Sequence, residues 1–179
     1  MTKNIRDMIY IGMFAIILAI CSWISIPMAI PFTLGTFGVF LTMLVLGGKR
    51  GTIAVMIYIL LGLIGIPVFS GFRGGVGTLL GNTGGYILGY IILAILMWTV
   101  EKWARSNKWL QILSMVAGLF ACYLCGTIWF LVLYTKNMEH IGIWAVLGWC
   151  VFPYVIPDLI KLGLAYILSK KLKMIVKIK

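Results

Sequence analysis

An aspartate and a lysine three residues apart, Asp158 and Lys161, stand inside the last long apolar run, within Phe152-Pro153-Tyr154-Val155-Ile156-Pro157-Asp158-Leu159-Ile160-Lys161. An ionisable side chain near the centre of an apolar span costs on the order of 2.5–3.5 kcal/mol on insertion scales, so it turns toward protein or a water-filled cavity. On a helix, a spacing of i, i+3 puts both groups on one face. Lys161 precedes Lys170 by nine residues, about 13 Å along a helix, too deep for its ammonium to snorkel to the surface. Pro157, just before Asp158, suits the first turn of a helix. Two chemistries fit the pair. It is a structural ion pair that neutralises itself, or a polar site whose carboxylate accepts ligand N–H groups while the ammonium donates to oxygen.

A second concentration of functional groups runs through Pro67-Val68-Phe69-Ser70-Gly71-Phe72-Arg73-Gly74-Gly75-Val76-Gly77-Thr78-Leu79-Leu80-Gly81-Asn82-Thr83-Gly84-Gly85-Tyr86. Glycines permit positive φ and close approach of backbone to a ligand or helix; a flexible outer loop would have the same composition. Asn82, Thr83 and Tyr86 add hydrogen-bonding groups, and Gly81, Gly85 and Gly89 recur every fourth residue, which suits close helix packing. Gly75 and Gly77 lack the strand and helix that a dinucleotide fingerprint requires. No G-x-x-x-x-G-K-[ST] is present, so the chain is not an ATPase by that route. On the first span, Ala15 and Ala19, one turn beyond Gly12, also let another helix come near, with packing inside the chain the plain reading.

Other chemistries find no set of residues. His140, beside Glu139, has no second histidine or thiol at metal spacing. Cys21, Cys122, Cys125 and Cys150 lie in apolar runs, and Cys122-x-x-Cys125 has no βαβ context. Buried thiols pack as small hydrophobes. No nucleophile–base set can be assembled, so neither enzyme activity nor a metal or cofactor is expected.

The elements that must position these groups follow from composition. Of 179 residues, 63% are hydrophobic and 11% charged, against roughly half and a quarter in soluble domains. An all-α integral membrane protein is expected, a single domain over 1–179 with six transmembrane helices at about 8–26, 32–47, 52–66, 86–100, 109–134 and 153–172. A Gly-rich extracellular loop at 69–85 separates the third and fourth, and 141–152 reads as a re-entrant or interfacial helix. The second and third spans are short, which membrane proteins tolerate where protein buries a helix or a helix lines a cavity. The 8–26 stretch is too long for a signal peptide and lacks a cleavage site, so it is read as a retained span.

The net charge of +11 is distributed in short clusters between apolar runs, which points to cytoplasmic loops rather than nucleic acid. With the N-terminus inside, twelve basic residues (Lys3, Arg6, Lys49, Arg50, Lys102, Arg105, Lys108, Lys170, Lys171, Lys173, Lys177 and Lys179) fall on the cytoplasmic side, and two, Arg73 and Lys136, outside. A multi-pass protein of the cell membrane with both termini cytoplasmic is expected. The glycine-rich break occurs once, unlike the paired breaks of inverted-repeat carriers.

In combination and order, several segments resemble a known family: Ser25-Ile26-Pro27 with Pro31-Phe32-Thr33-Leu34, Gly65-Ile66-Pro67-Val68-Phe69-Ser70-Gly71-Phe72, Gly74-Gly75, Leu80-Gly81-Asn82-Thr83-Gly84-Gly85-Tyr86-Ile87-Leu88-Gly89-Tyr90, and Pro157-Asp158-Leu159-Ile160-Lys161. Over nearly its whole length the chain is similar to the biotin-specific S components of energy-coupling-factor (ECF) importers, the BioY family. It departs at Asn82, where the family often has Pro, and at Gly35, where it often has Gln. The resemblance implies a six-helix protein that captures biotin from outside and associates with a transmembrane T component and a pair of cytoplasmic ATPases. It implies that Ala15 and Ala19 face the T component. It also implies that Asp158, Lys161 and Asn82 hold the polar groups of biotin, while Thr83, Gly84, Gly85 and Tyr86 shape one wall. An S component for another vitamin and a solitary biotin carrier are the alternatives.

Overall fold

The computed structural model describes residues 3–28, 30–104, 106–137 and 143–176; His140 and Glu139 lie outside them, as do Arg105 and the end of the chain from 177. The described residues form eight α-helices and one two-stranded hairpin. Four stretches are long and apolar enough to cross a membrane: Asn4–Trp23, Gly84–Ala104, Lys108–Leu133 and Val146–Met174. The protein is all-helical and built for a bilayer.

Helix α1 (Lys3–Trp23) is apolar outward and small inward. Met13, Ile16 and Ile20 are exposed, whereas Phe14, Ala15, Leu18 and Ala19 are buried. Ala15 and Ala19, which the resemblance sets toward a T component, lie on this inner side. At 2% and 5% exposure they pack in this chain's own core, because their small side chains let α1 close on its neighbours.

The first span ends at Trp23 rather than 26, because Pro27 and Pro31 forbid continuation. Strands β1 (Ser25–Ile26) and β2 (Phe32–Thr33) pair antiparallel there as a short hairpin. Helix α2 (Gly35–Leu46) follows and is buried at every residue but Phe37. It is apolar around its whole circumference, as a central helix must be. Gly47, at φ 81, ends α2 and opens α3 (Gly48–Leu63) without a loop. The run Gly48-Lys49-Arg50-Gly51 is therefore the first turn of α3, not a connection. A Cβ at Gly51 would lie 2.8 Å from Met43 Sδ, so only glycine lets α3 fold back this closely on α2. At 1.5 Å per residue α2 is about 18 Å long and α3 about 24 Å, both short of the hydrocarbon thickness.

The glycine-rich stretch 69–85 is not a plain loop. Phe69 and Arg73 bridge across a 3₁₀ turn, Ser70–Phe72, and a short helix α4 (Val76–Leu80) follows. Gly75 N donates to Gly62 O at 2.7 Å, which ties the segment to the end of α3. A Cβ at Gly74 would lie 2.8 Å from Gly65 O, so the turn closes only because 74 is glycine.

Helices α5 (Gly84–Ala104) and α6 (Lys108–Asn137) form a long seam. A Cβ at Gly85 would overlap Trp129; one at Gly89 would meet Cys122 Sγ at 2.9 Å, and one at Gly118 would meet Leu93 at 3.0 Å. Gly81 stands outside this seam and ends α4, its carbonyl accepting the Trp129 indole N–H at 3.1 Å. Helix α7 (Ile143–Cys150) leads into α8 (Phe152–Ile175). Pro157 lies inside α8, not at its start; Pro153 occupies the first turn. A proline there removes one backbone hydrogen bond one residue before Asp158.

Candidate ligand-binding cavity

Four elements, α8, α2, α6 and the hairpin, converge on the Asp158–Lys161 pair. Asp158 and Lys161, on α8, are 3% and 5% exposed, and Lys161 Nζ donates to Asp158 Oδ1 at 2.7 Å. The Thr36 hydroxyl, from α2, donates to the same oxygen at 2.9 Å. The Tyr123 hydroxyl, from α6, donates to Oδ2 at 2.5 Å. Thr33 O, from the hairpin, accepts from Lys161 Nζ at 2.6 Å, and the ammonium also sits 3.7 Å from the centre of the Phe32 ring. The pair is thus bonded to itself and held by a polar shell as well. Buried charges persist only when so compensated, and hydrogen bonds to an ionised partner are the strong ones.

Asp158 and Lys161 also border a cavity of about 50 Å³, together with Thr33, Tyr86, Tyr90 and Tyr154. Across Thr33, Tyr86 and Tyr90 lies a second cavity of about 60 Å³, walled by Ser22, Tyr58, Phe69 and Arg73. Arg73 and Thr83 in turn border a wider opening of about 430 Å³, lined also by Pro27, Met28, Thr78 and Asn82. The three follow one another: a charged inner end, an aromatic middle, and a mouth with Arg73. Among the described residues lining the middle cavity and the mouth, Arg73 is the one with a charge.

The walls are fastened. The Tyr154 hydroxyl donates to Ile30 O, which pins the hairpin to α8. The Tyr86 hydroxyl, from α5, donates to Cys150 O at 3.3 Å. Ser22 and Tyr58 hydroxyls are 2.8 Å apart, and Phe69 meets Tyr58 edge-on with ring centres 5.5 Å apart.

The sequence-derived residues divide accordingly. Asp158, Lys161 and Tyr86 meet at the inner cavity, Thr83 borders the middle cavity and the mouth, and Asn82 borders the mouth alone. Gly84 and Gly85 line none of the three. Gly84 is closed against Leu79 O and Gly85 against Trp129, and the Gly84 N–H already donates to Gly81 O at 3.0 Å. Their role is to bring α5 against α4 and α6. Sequence reading overlooked Thr33, Thr36, Tyr90, Tyr123 and Arg73. A signal existed for two of them: Tyr90 and Tyr123 stand in the interior of spans, where an aromatic hydroxyl needs a partner, rather than at span ends.

Chemically the arrangement provides acceptor and donor at the inner end, apolar rings along the middle, and a cation at the mouth. Such an arrangement suits an elongated ligand with a polar group at one end and an anion at the other.

Known proteins are similar to this chain over nearly its whole length. Over 169 residues the chain is 39% identical to the biotin transporter BioY of Thermotoga maritima, covering 94% of this chain and 96% of that protein. It is 33% identical over the same length to the probable biotin transporter BioY of Pyrococcus horikoshii, with the same coverage. A crystal structure of the S-component for biotin from an ECF-type ABC transporter superposes with a TM-score of 0.84, covering 97% of this chain and 95% of that one at 24% identity; the fold is the same. Residues 1–178 match the BioY family, and the chain belongs to it.

Proposed function

We propose that this protein captures biotin from the extracellular side as the S component of an ECF-type importer. The observation that carries the reading is the run of cavities from the buried Asp158–Lys161 pair to Arg73. Biotin has the matching sequence of groups: a ureido ring with N–H donors and a carbonyl acceptor, an apolar bicycle, and a carboxylate tail. In this pose Asp158 accepts ureido N–H groups and Lys161 donates to the ureido carbonyl in place of Thr33 O. The rings of Phe69, Tyr86 and Tyr90 enclose the bicycle, and Arg73 takes the carboxylate with Asn82 and Thr83 beside it. Ligand pockets hold about 300–1,000 Å³, far more than either inner cavity, so binding moves the dividing wall. The hairpin residues Ile30, Pro31 and Thr33 form much of that wall.

The proposed architecture is a single domain of six spans, the four long ones joined by the shorter α2 and α3, with both termini cytoplasmic. The charge asymmetry of its connecting segments supports that orientation. Transport energy comes from partner subunits, a T component and an ATPase pair, since the chain carries no nucleotide-binding motif. No bond of the ligand is made or broken.

Calorimetry on detergent-purified protein tests the ligand. Biotin is expected to bind, and thiamine and riboflavin are not; the reverse order overturns the reading. Arg73→Gln is expected to weaken biotin about ten- to a hundredfold, since a hydrogen bond to a charged group contributes roughly 1.5–3 kcal/mol. Biotinamide, which has no carboxylate, is expected to bind parent and variant alike; an equal loss for both ligands would remove Arg73 from the tail.

A further inference from the structure

Three aromatic rings that wall the middle cavity each rest on a glycine from another helix. A Cβ at Gly62, near the end of α3, would run into the Phe69 ring, and one at Gly126, on α6, into the Tyr86 ring. A Cβ at Gly35, the first residue of α2, would lie 2.5 Å from the Tyr90 hydroxyl oxygen and 3.3 Å from its Cζ. Phe69, Tyr86 and Tyr90 all line the cavity. Gly48 and Gly85 also crowd aromatic residues, Trp98 and Trp129, but neither of those lines the cavity, and Cβ atoms at Gly12, Gly148 and Gly163 would meet nothing within 4 Å.

We propose that Gly35, Gly62 and Gly126 set the width of the site from behind its walls, and so decide how thick a ring system it accepts. The inference rests on the biotin reading above. Each glycine is a notch into which a ring retreats. One methyl group there fills the notch and displaces the ring, whose other side lines the cavity. Interiors pack at near-crystalline density, so a ring cannot be pushed without entering whatever space adjoins it. None of the three glycines touches the ligand. The missing side chain of Gly35 makes room for the Tyr90 hydroxyl.

The test compares biotin with desthiobiotin, which lacks the sulfur and is thinner at the bicycle, on purified full-length protein. Gly126→Ala and Gly62→Ala are expected to weaken biotin about tenfold or more, the scale of an overpacked site, and desthiobiotin several-fold less. Gly35→Ala is expected to weaken biotin, and adding Tyr90→Phe, which removes the obstructing oxygen, to restore it. Gly118→Ala, which crowds Leu93 away from the cavity, is expected to lower the melting temperature without altering the ratio of the two affinities. An unchanged ratio in both Gly126→Ala and Gly62→Ala, or no rescue of Gly35→Ala, overturns the proposal. A parent that binds neither ligand overturns the biotin reading instead. A crystal structure of unliganded Gly126→Ala then decides the geometry alone: the Tyr86 ring advanced into the cavity supports the proposal, and an unmoved ring with α6 displaced overturns it.

Discussion

The double variant Asp158→Asn/Lys161→Met is expected to fold nearly as well as the parent while binding biotin about a hundredfold more weakly or worse. Lys161→Met alone is expected to lose about 3–5 kcal/mol of stability, because it leaves one carboxylate buried without its cation. Thr36 and Tyr123 would still donate to Asp158, but two neutral hydroxyls do not replace an ammonium. Removing both charges takes away the desolvation penalty together with the attraction, and such replacements are often neutral or stabilising. Ligand binding behaves differently. It loses two charged hydrogen bonds, each roughly 1.5–3 kcal/mol, and at 1.4 kcal/mol per tenfold that is two decades at the least. Urea unfolding in detergent and biotin calorimetry on the parent and the two variants separate the roles. A double variant that keeps the parent's affinity would show the pair to be structural only.

Gly85→Val is expected to cost several kcal/mol of stability and to abolish ligand binding. Its Cβ would overlap Trp129 Cβ and lie 3.0 Å from Cys125 O, with backbone on one side and an indole anchored to Gly81 O on the other. Overpacking typically costs about 1–3 kcal/mol, and a branched side chain that cannot rotate away in a helix exceeds it. Binding fails because Tyr86, the next residue, sits over Gly126 across the same seam. Adding Trp129→Gly, which removes the overlapping Cβ together with the ring, is expected to recover part of the stability, and Gly12→Ala, with open space around it, is expected to change little. Thermal unfolding in detergent reads all three. A Gly85→Val protein as stable as its parent would mean that α5 and α6 do not approach at this point.

What was legible in the sequence was whatever violates the membrane's own rule. Asp158 and Lys161 stood out because charges in an apolar run need an explanation, and the structure puts both at one cavity. Their partners were hidden by distance: Thr36 is 122 residues from Asp158 and Tyr123 is 35, and no local pattern joins them. Glycine misled in two directions. Residues 69–85 looked like loop, because a five-residue helix tied down by Gly75 and Gly62 has no periodic signal. Gly84 and Gly85 looked like ligand contacts, whereas their missing side chains serve helix packing. Ala15 and Ala19 carried the right information, close approach, but sequence could not say whose helix approaches. Pro157 suited a first turn, although the span itself reads from 153; the helix begins at Phe152 and runs through Pro157.

The burial of α2 has a consequence for how the protein is made. A 12-residue helix wrapped by its neighbours is too short to hold a place in the bilayer by itself, and it leaves the ribosome long before α8, its heaviest neighbour. Until the final helix is threaded in, Thr36 has no carboxylate to meet. The polar shell around Asp158 therefore forms only after α8 has joined α2, not as α2 emerges.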